Sequence, residues 1–305
     1  MFGGLQIMDN NTQQNDEKVL SNKTNAHAWG KLVISLLICY FIPTLGAVFL
    51  FLGPVLIPAN PYLGTGIGEL AAGLITVLAV VLLGGKKLLR FTAQGLRHGF
   101  LLSWPFLAAD AVLVVLSVVR MLQTGGMIEN ALPALLGVFV YCMGIGLFEE
   151  SNFRGLLLNG LLAPLGKSRN WVMICVITSS LWFGRVHVGR FDLTDTTAVI
   201  MAVLKILQAG CFGVIMSALV LRTRELGGAI LVHVLHDFML MAMAVLAGGQ
   251  AKLNYVDSSV GSIAFVAYGI LLAVILPPAV LAIRSLLRDG GEDHGAFVQI
   301  EEDML

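Results

Sequence analysis

Charge is scarce in this chain. Only 12% of its 305 residues are Asp, Glu, Lys or Arg, where a soluble domain carries about 25%. The formal net charge is zero, so there is no basic field to attract nucleic acid, and no nucleic-acid partner is expected. Cysteine is sparse as well. Cys39, Cys142, Cys175 and Cys211 lie apart in apolar stretches, with neither metal-ligand spacing nor the look of a disulfide framework. The HExxH pattern of common zinc proteases is missing. No tandem or inverted repeat is visible, which weighs against a transporter. The polar opening "MFGGLQIMDNNTQQNDEKVLSNKTNAHA" lacks the basic start, apolar stretch and cleavage site of a secretory signal, so no cleavable signal peptide is expected.

What the chain has is apolar length. Hydrophobic residues make up 57% of it and the mean hydropathy is +0.86, which places it in the membrane class. The expected fold is all-α, a polytopic membrane protein with about eight transmembrane helices. The spans are expected near 32–52, 66–84, 99–119, 131–150, 171–188, 197–220, 228–248 and 261–283. The fourth is expected to run on past Arg154 towards Leu162, because the chain turns apolar again there. Pro43, Pro105, Pro277 and Pro278 fall inside spans and predict kinks or helix starts. This membrane domain covers 29–288. It is flanked by residues 1–28, expected as a polar disordered tail, and by residues 289–305, expected as an acidic tail.

Orientation follows from the basic residues. With the N-terminus cytoplasmic, fourteen Lys and Arg gather on that side. Arg120, Arg185, Arg190 and Lys252 fall on the other, and Lys205 lies within the sixth span. Both termini are therefore expected in the cytoplasm, with the chain in the plasma (inner) membrane.

Ionisable groups at membrane depth are expensive unless paired or facing water, so each marks a functional candidate. Three clusters stand out. "LFEESNFRGLLL" carries Glu149, Glu150 and Arg154; "WFGRVH" carries Phe183 and His187; "LVHVLHDF" carries His233, His236 and Asp237. On a helix Glu150 and Arg154 stand four apart and form a charge pair. Glu149 points about 100° away and keeps its carboxylate free, buried and available as a base. The bland alternative is that both glutamates cap a helix end at the membrane interface. Phe183 and His187 share a helix face, as do His233 and Asp237, which lets Asp237 orient the His233 imidazole or act directly. Of the rest, Lys205 and Asp110 are expected to pair, Glu69 is expected at the interface, and His236 is expected as a mere neighbour.

Depth sets a condition on the grouping. Glu149 and His187 lie equally far from the turn "GKSRN", roughly 24 Å at ~1.5 Å per residue if both flanking segments are helical. His233 lies only six residues past Gly227, so a common depth for all three requires tilt or protrusion.

These motifs, "EESNFR", "FGRVH" and "HVLHD", fit the EExxxR, FxxxH and HxxxN/D patterns in that order. Over roughly 130–245 the chain resembles the CPBP family, the CAAX proteases and bacteriocin-processing enzymes, which includes the type II CAAX prenyl endopeptidases. The resemblance implies a protease core there. It implies that Glu149 and His187 activate a water for attack on a peptide bond near the cytoplasmic face. His233 and the residue at 237 would stabilise the oxyanion, and Arg154 would hold the glutamate pair. It implies as substrate a peptide or membrane protein, prenylated or not. One departure matters: Asp237 stands where the prenyl endopeptidases have Asn, and an ionised carboxylate repels an oxyanion that an amide would bind.

No Ser or Cys lies beside these histidines within the motifs, which argues against a covalent acyl-enzyme. No cofactor is expected. The zinc-dependent alternative would use Glu149, His187 and His233 as ligands with one open position. Outside proteolysis, the same groups suit a proton relay in a proton-coupled transporter, or a non-catalytic immunity or scaffold protein.

Overall fold

The computed structural model describes residues 5–125, 130–248, 262–288 and 296–297. Among them there are helices and no strands. Helix α1 spans Leu5–Leu56, α2 Pro61–Leu82 and α3 Ala93–Thr124, with a short 3₁₀ turn at Gly85–Leu89 between the last two. Helix α4, Ala131–Glu150, passes without a break into a π-helical segment, Ser151–Leu158, and then into α5, Asn159–Leu165. Helices α6 (Arg169–Val186), α7 (Thr196–Thr223), α8 (Gly227–Leu246) and α9 (Ser262–Arg288) complete the fold.

Each expected span falls on one of these helical stretches, and the fourth does continue past Arg154, to Leu165. Among the described residues seven helices are long and apolar enough to cross a membrane. The exception is α6, whose Arg169, Asn170, Ser179, Ser180 and Arg185 dilute its apolar character. The chain is an all-α multi-pass membrane protein. Helix α1 starts at Leu5, within the segment 1–28. Nothing stops it, because no Gly or Pro occurs between Leu5 and Gly30. The expected acidic tail lies outside the described residues except for Ala296 and Phe297.

Local chemistry sets the helix ends. Asn60 caps α2 by accepting from the Leu63 amide at 3.1 Å, with Pro61 in the first turn. Thr92 caps α3, which ends on Gly125 at φ +64°. Asp195 caps α7 through the Thr197 and Ala198 amides. Pro105, Pro277 and Pro278 all lie inside helices; Pro43 is likewise within the span of α1, and its side chain lies outside the described set.

The unit α4–π–α5 runs through the middle. α4 packs on α2 and α8, and the π segment meets α1, α2, α6 and α7. All eight residues of the π segment are buried. Contacts are close where side chains are small. A Cβ on Gly66 would lie 2.6 Å from the Tyr141 amide nitrogen, and one on Gly184 would lie 2.3 Å from the Ile206 carbonyl oxygen. Small residues let membrane helices approach in this way. The second of these contacts, between α6 and α7, sets where His187 can stand.

Candidate active site

Helix α4 ends on Glu149 and Glu150, and the π segment that follows presents Arg154. The Arg154 Nη1 donates to Glu150 Oε1 at 2.8 Å, with both side chains buried. The guanidinium also covers the Phe183 ring, its Cζ 4.3 Å from the centroid, so this cation is matched by a carboxylate and an aromatic face. Behind it, Asn159 donates from Nδ2 to the Arg154 carbonyl at 2.6 Å, and Asn159 Oδ1 accepts from the Ala296 amide at 2.7 Å.

Glu150 has a second partner. Its Oε1 lies 2.7 Å from His233 Nδ1, across 83 residues of sequence. A carboxylate accepts, so Nδ1 carries the hydrogen and Nε2 turns into the site. His187 is fixed in the same manner. It follows the last residue of α6, and its Nδ1 lies 2.7 Å from the Phe183 carbonyl oxygen. A carbonyl only accepts, so here too Nε2 is the atom presented to the site.

Both Nε2 atoms meet Glu149. Glu149 Oε2 is 3.6 Å from His187 Nε2 and 3.6 Å from His233 Nε2. Asp237 Oδ2 lies 3.5 Å from His233 Nε2. The four residues named from the motifs therefore converge on one site. Phe183 and Phe212 wall the imidazoles, with ring centroids 4.5 Å apart for Phe183–His187 and 4.9 Å for Phe212–His233. The group faces a cavity of about 540 Å³, which Asn152, Lys205, Gln208 and His236 also line.

Several expectations are corrected. The orienting acceptor on His233 Nδ1 is Glu150, while Asp237 faces the other ring nitrogen. Asp110 meets His236 Nδ1 at 2.7 Å instead of Lys205, which reaches Gln208 Oε1 at 3.4 Å. The ring of His236 stacks on Phe212, so His236 is more than a neighbour. Glu69 is 6% exposed and lines the same cavity. Sequence spacing reveals pairs within one helix, and these pairs join different helices. The one signal for them was that several ionisable groups at membrane depth lacked a local partner.

Metal binding was weighed on the same residues. Among the described residues, no three His, Cys, Asp or Glu side chains are disposed to hold a metal ion, and that includes Glu149, His187 and His233.

Residues 131–239 match the family model described as type II CAAX prenyl endopeptidase Rce1-like. The match contains Glu149, Glu150, Arg154, His187, His233 and Asp237. No curated protein and no solved structure matches the chain. Over this segment the chain is similar to the Rce1-like type II CAAX prenyl endopeptidases.

Proposed function

We propose that this protein is an endopeptidase in which Glu149 and His187 activate a water to hydrolyse a peptide bond near the cytoplasmic side of the plasma membrane. One observation carries the reading: Glu149 Oε2 stands 3.6 Å from each of two imidazole nitrogens whose opposite nitrogens are already tied down. His187 Nε2 and Glu149 Oε2 are both acceptors when His187 is neutral. A water between them donates a hydrogen to each and keeps a lone pair for a carbonyl carbon.

The steps balance without a covalent intermediate. The water oxygen bonds to the carbonyl carbon as its proton passes to Glu149. The carbonyl oxygen gains charge and receives a hydrogen bond from His233 Nε2 when that imidazole carries its second proton. The C–N bond then breaks and Glu149 returns the proton to the leaving amine. Asp237 holds the His233 ring from the Nε2 side, and the oxyanion falls to His233. Arg154 keeps Glu150, and through it His233, in place. Substrates are peptides or membrane proteins able to enter from the bilayer, prenylated or not.

The experiment is a comparison of new protein N- and C-termini in cells expressing wild type or Glu149→Gln at matched, membrane-inserted levels. Cleavages confined to wild type are expected, and they name the substrates. Identical termini would overturn the reading in favour of a proton-coupled transporter or a non-catalytic scaffold.

A further inference from the structure

The cavity has a second carboxylate that the proposed chemistry does not use. Glu69, on α2, is 6% exposed, and its Oε2 has no hydrogen-bond partner among the described residues. An unpartnered acid this deep in a membrane protein is costly, and such groups are retained for a partner or a function. Glu149, which lines the same cavity, is of like sign. Lys205, from α7, lines the cavity as well.

The surroundings of Glu69 share one character. Tyr141 and Phe148 line the cavity beside it. A Cβ built on Gly46 would lie 3.7 Å from Phe148 Cε1 and 3.9 Å from both Glu69 carboxylate oxygens, so the glycine keeps the carboxylate uncovered from the α1 side. Asn152 is wholly buried on the same side, packed against α1 through the Cys39 contact to its carbonyl, and both of its side-chain polar atoms are unpartnered. A carboxylate, an amide oxygen and aromatic faces around open space form the chemistry that holds an ammonium or guanidinium group. Glu69 and Gly46 lie outside the segment 131–239 that matches the family model, so this wall is added to the matched core by the chain's own first two helices.

We infer that Glu69, with Asn152, Tyr141 and Phe148, forms a subsite for a positively charged substrate side chain, lysine or arginine, close to the bond that Glu149 attacks. The inference rests on the proteolytic reading. Binding such a side chain cancels the buried charge of Glu69 and separates it from Glu149, so cationic substrates are selected over apolar ones.

The test extends the comparison of termini to a third strain carrying Glu69→Gln, followed by synthetic peptides spanning the sites found. Glu149-dependent sites are expected to carry Lys or Arg at one fixed position near the cut. Replacing that residue by norleucine in the peptide lowers kcat/KM for the wild type by about tenfold or more, and has little further effect on Glu69→Gln. Glu149-dependent sites without a preferred cation, or a preference that survives Glu69→Gln, would overturn the subsite and leave the protease reading standing. Equal loss on both peptides in Glu69→Gln would assign Glu69 to the general machinery and overturn the subsite as well. The absence of any Glu149-dependent site would bring down both.

Discussion

Glu150 Oε1 accepts from two partners at once, Arg154 Nη1 at 2.8 Å and His233 Nδ1 at 2.7 Å. One buried oxygen thus joins α4, the π segment and α8. All three side chains are almost inaccessible to solvent, so the link is rigid, and it is sensitive to the loss of any member. The π segment begins just after the glutamates. Widened helical turns of this kind recur at functional sites, and this one faces four neighbouring helices.

Arg154→Met is therefore expected to destabilise the protein by about 3–5 kcal/mol, because it leaves Glu150 buried without its cation. The double variant Arg154→Met/Glu150→Gln should recover part of that loss. Chemical unfolding of the four proteins in detergent measures the coupling. Equal stability of the single and double variants would show that the pair does not act as a unit.

A similar tie lies one turn further along α8. His236 Nδ1 meets Asp110 Oδ2 at 2.7 Å, binding α8 to α3. Asp110→Leu strands the imidazole donor and should lower stability by about 1–3 kcal/mol. Asp110→Leu/His236→Phe removes both polar groups into an aromatic setting of Phe106 and Phe212, so it should lie near wild type. Thermal unfolding of the wild type and the two variants checks this, and a double variant as weak as the single would count against it.

The helical stretches were legible in the sequence because length and apolarity mark them, but their number as spans was not: eight were expected, and seven described helices are apolar enough to cross a bilayer. Glu149, His187, His233 and Asp237 were legible as candidates because charge is expensive there. Their partners were not. Glu150–His233 and Asp110–His236 bridge 83 and 126 residues, and helical spacing says nothing about which faces of separate helices will meet. Glu69 stands among the glycines of α2, where α4 packs closely: a Cβ on Gly144 would lie 2.6 Å from that of Glu69.

Packing between α6 and α7 offers a direct test of how finely His187 must be placed. A Cβ on Gly184 would lie 2.3 Å from the Ile206 carbonyl oxygen, whereas one on Gly210 meets nothing closer than 3.6 Å. Gly184→Ala must push the two helices apart, three residues before His187. It is expected to lower stability by about 1–3 kcal/mol and cleavage by about tenfold or more. Gly210→Ala should be close to neutral in both. Assaying the two variants side by side separates a positional effect from a general intolerance of alanine in this bundle.

Metal dependence divides the two protease mechanisms. In the glutamate–water mechanism the two histidines beside Glu149 are already fixed, His233 by Glu150 with its Arg154 and His187 by the Phe183 carbonyl. Purified protein incubated with a zinc chelator and then freed of it should retain its cleavage rate, and its zinc content should be far below one ion per chain. The same preparation should lose about 10²–10⁴-fold in rate on Glu149→Gln, the range that a positioned base supplies. Stoichiometric zinc, with activity lost on chelation and restored by zinc alone, would instead assign Glu149, His187 and His233 as ligands. It would also require those side chains to rearrange from the disposition seen here.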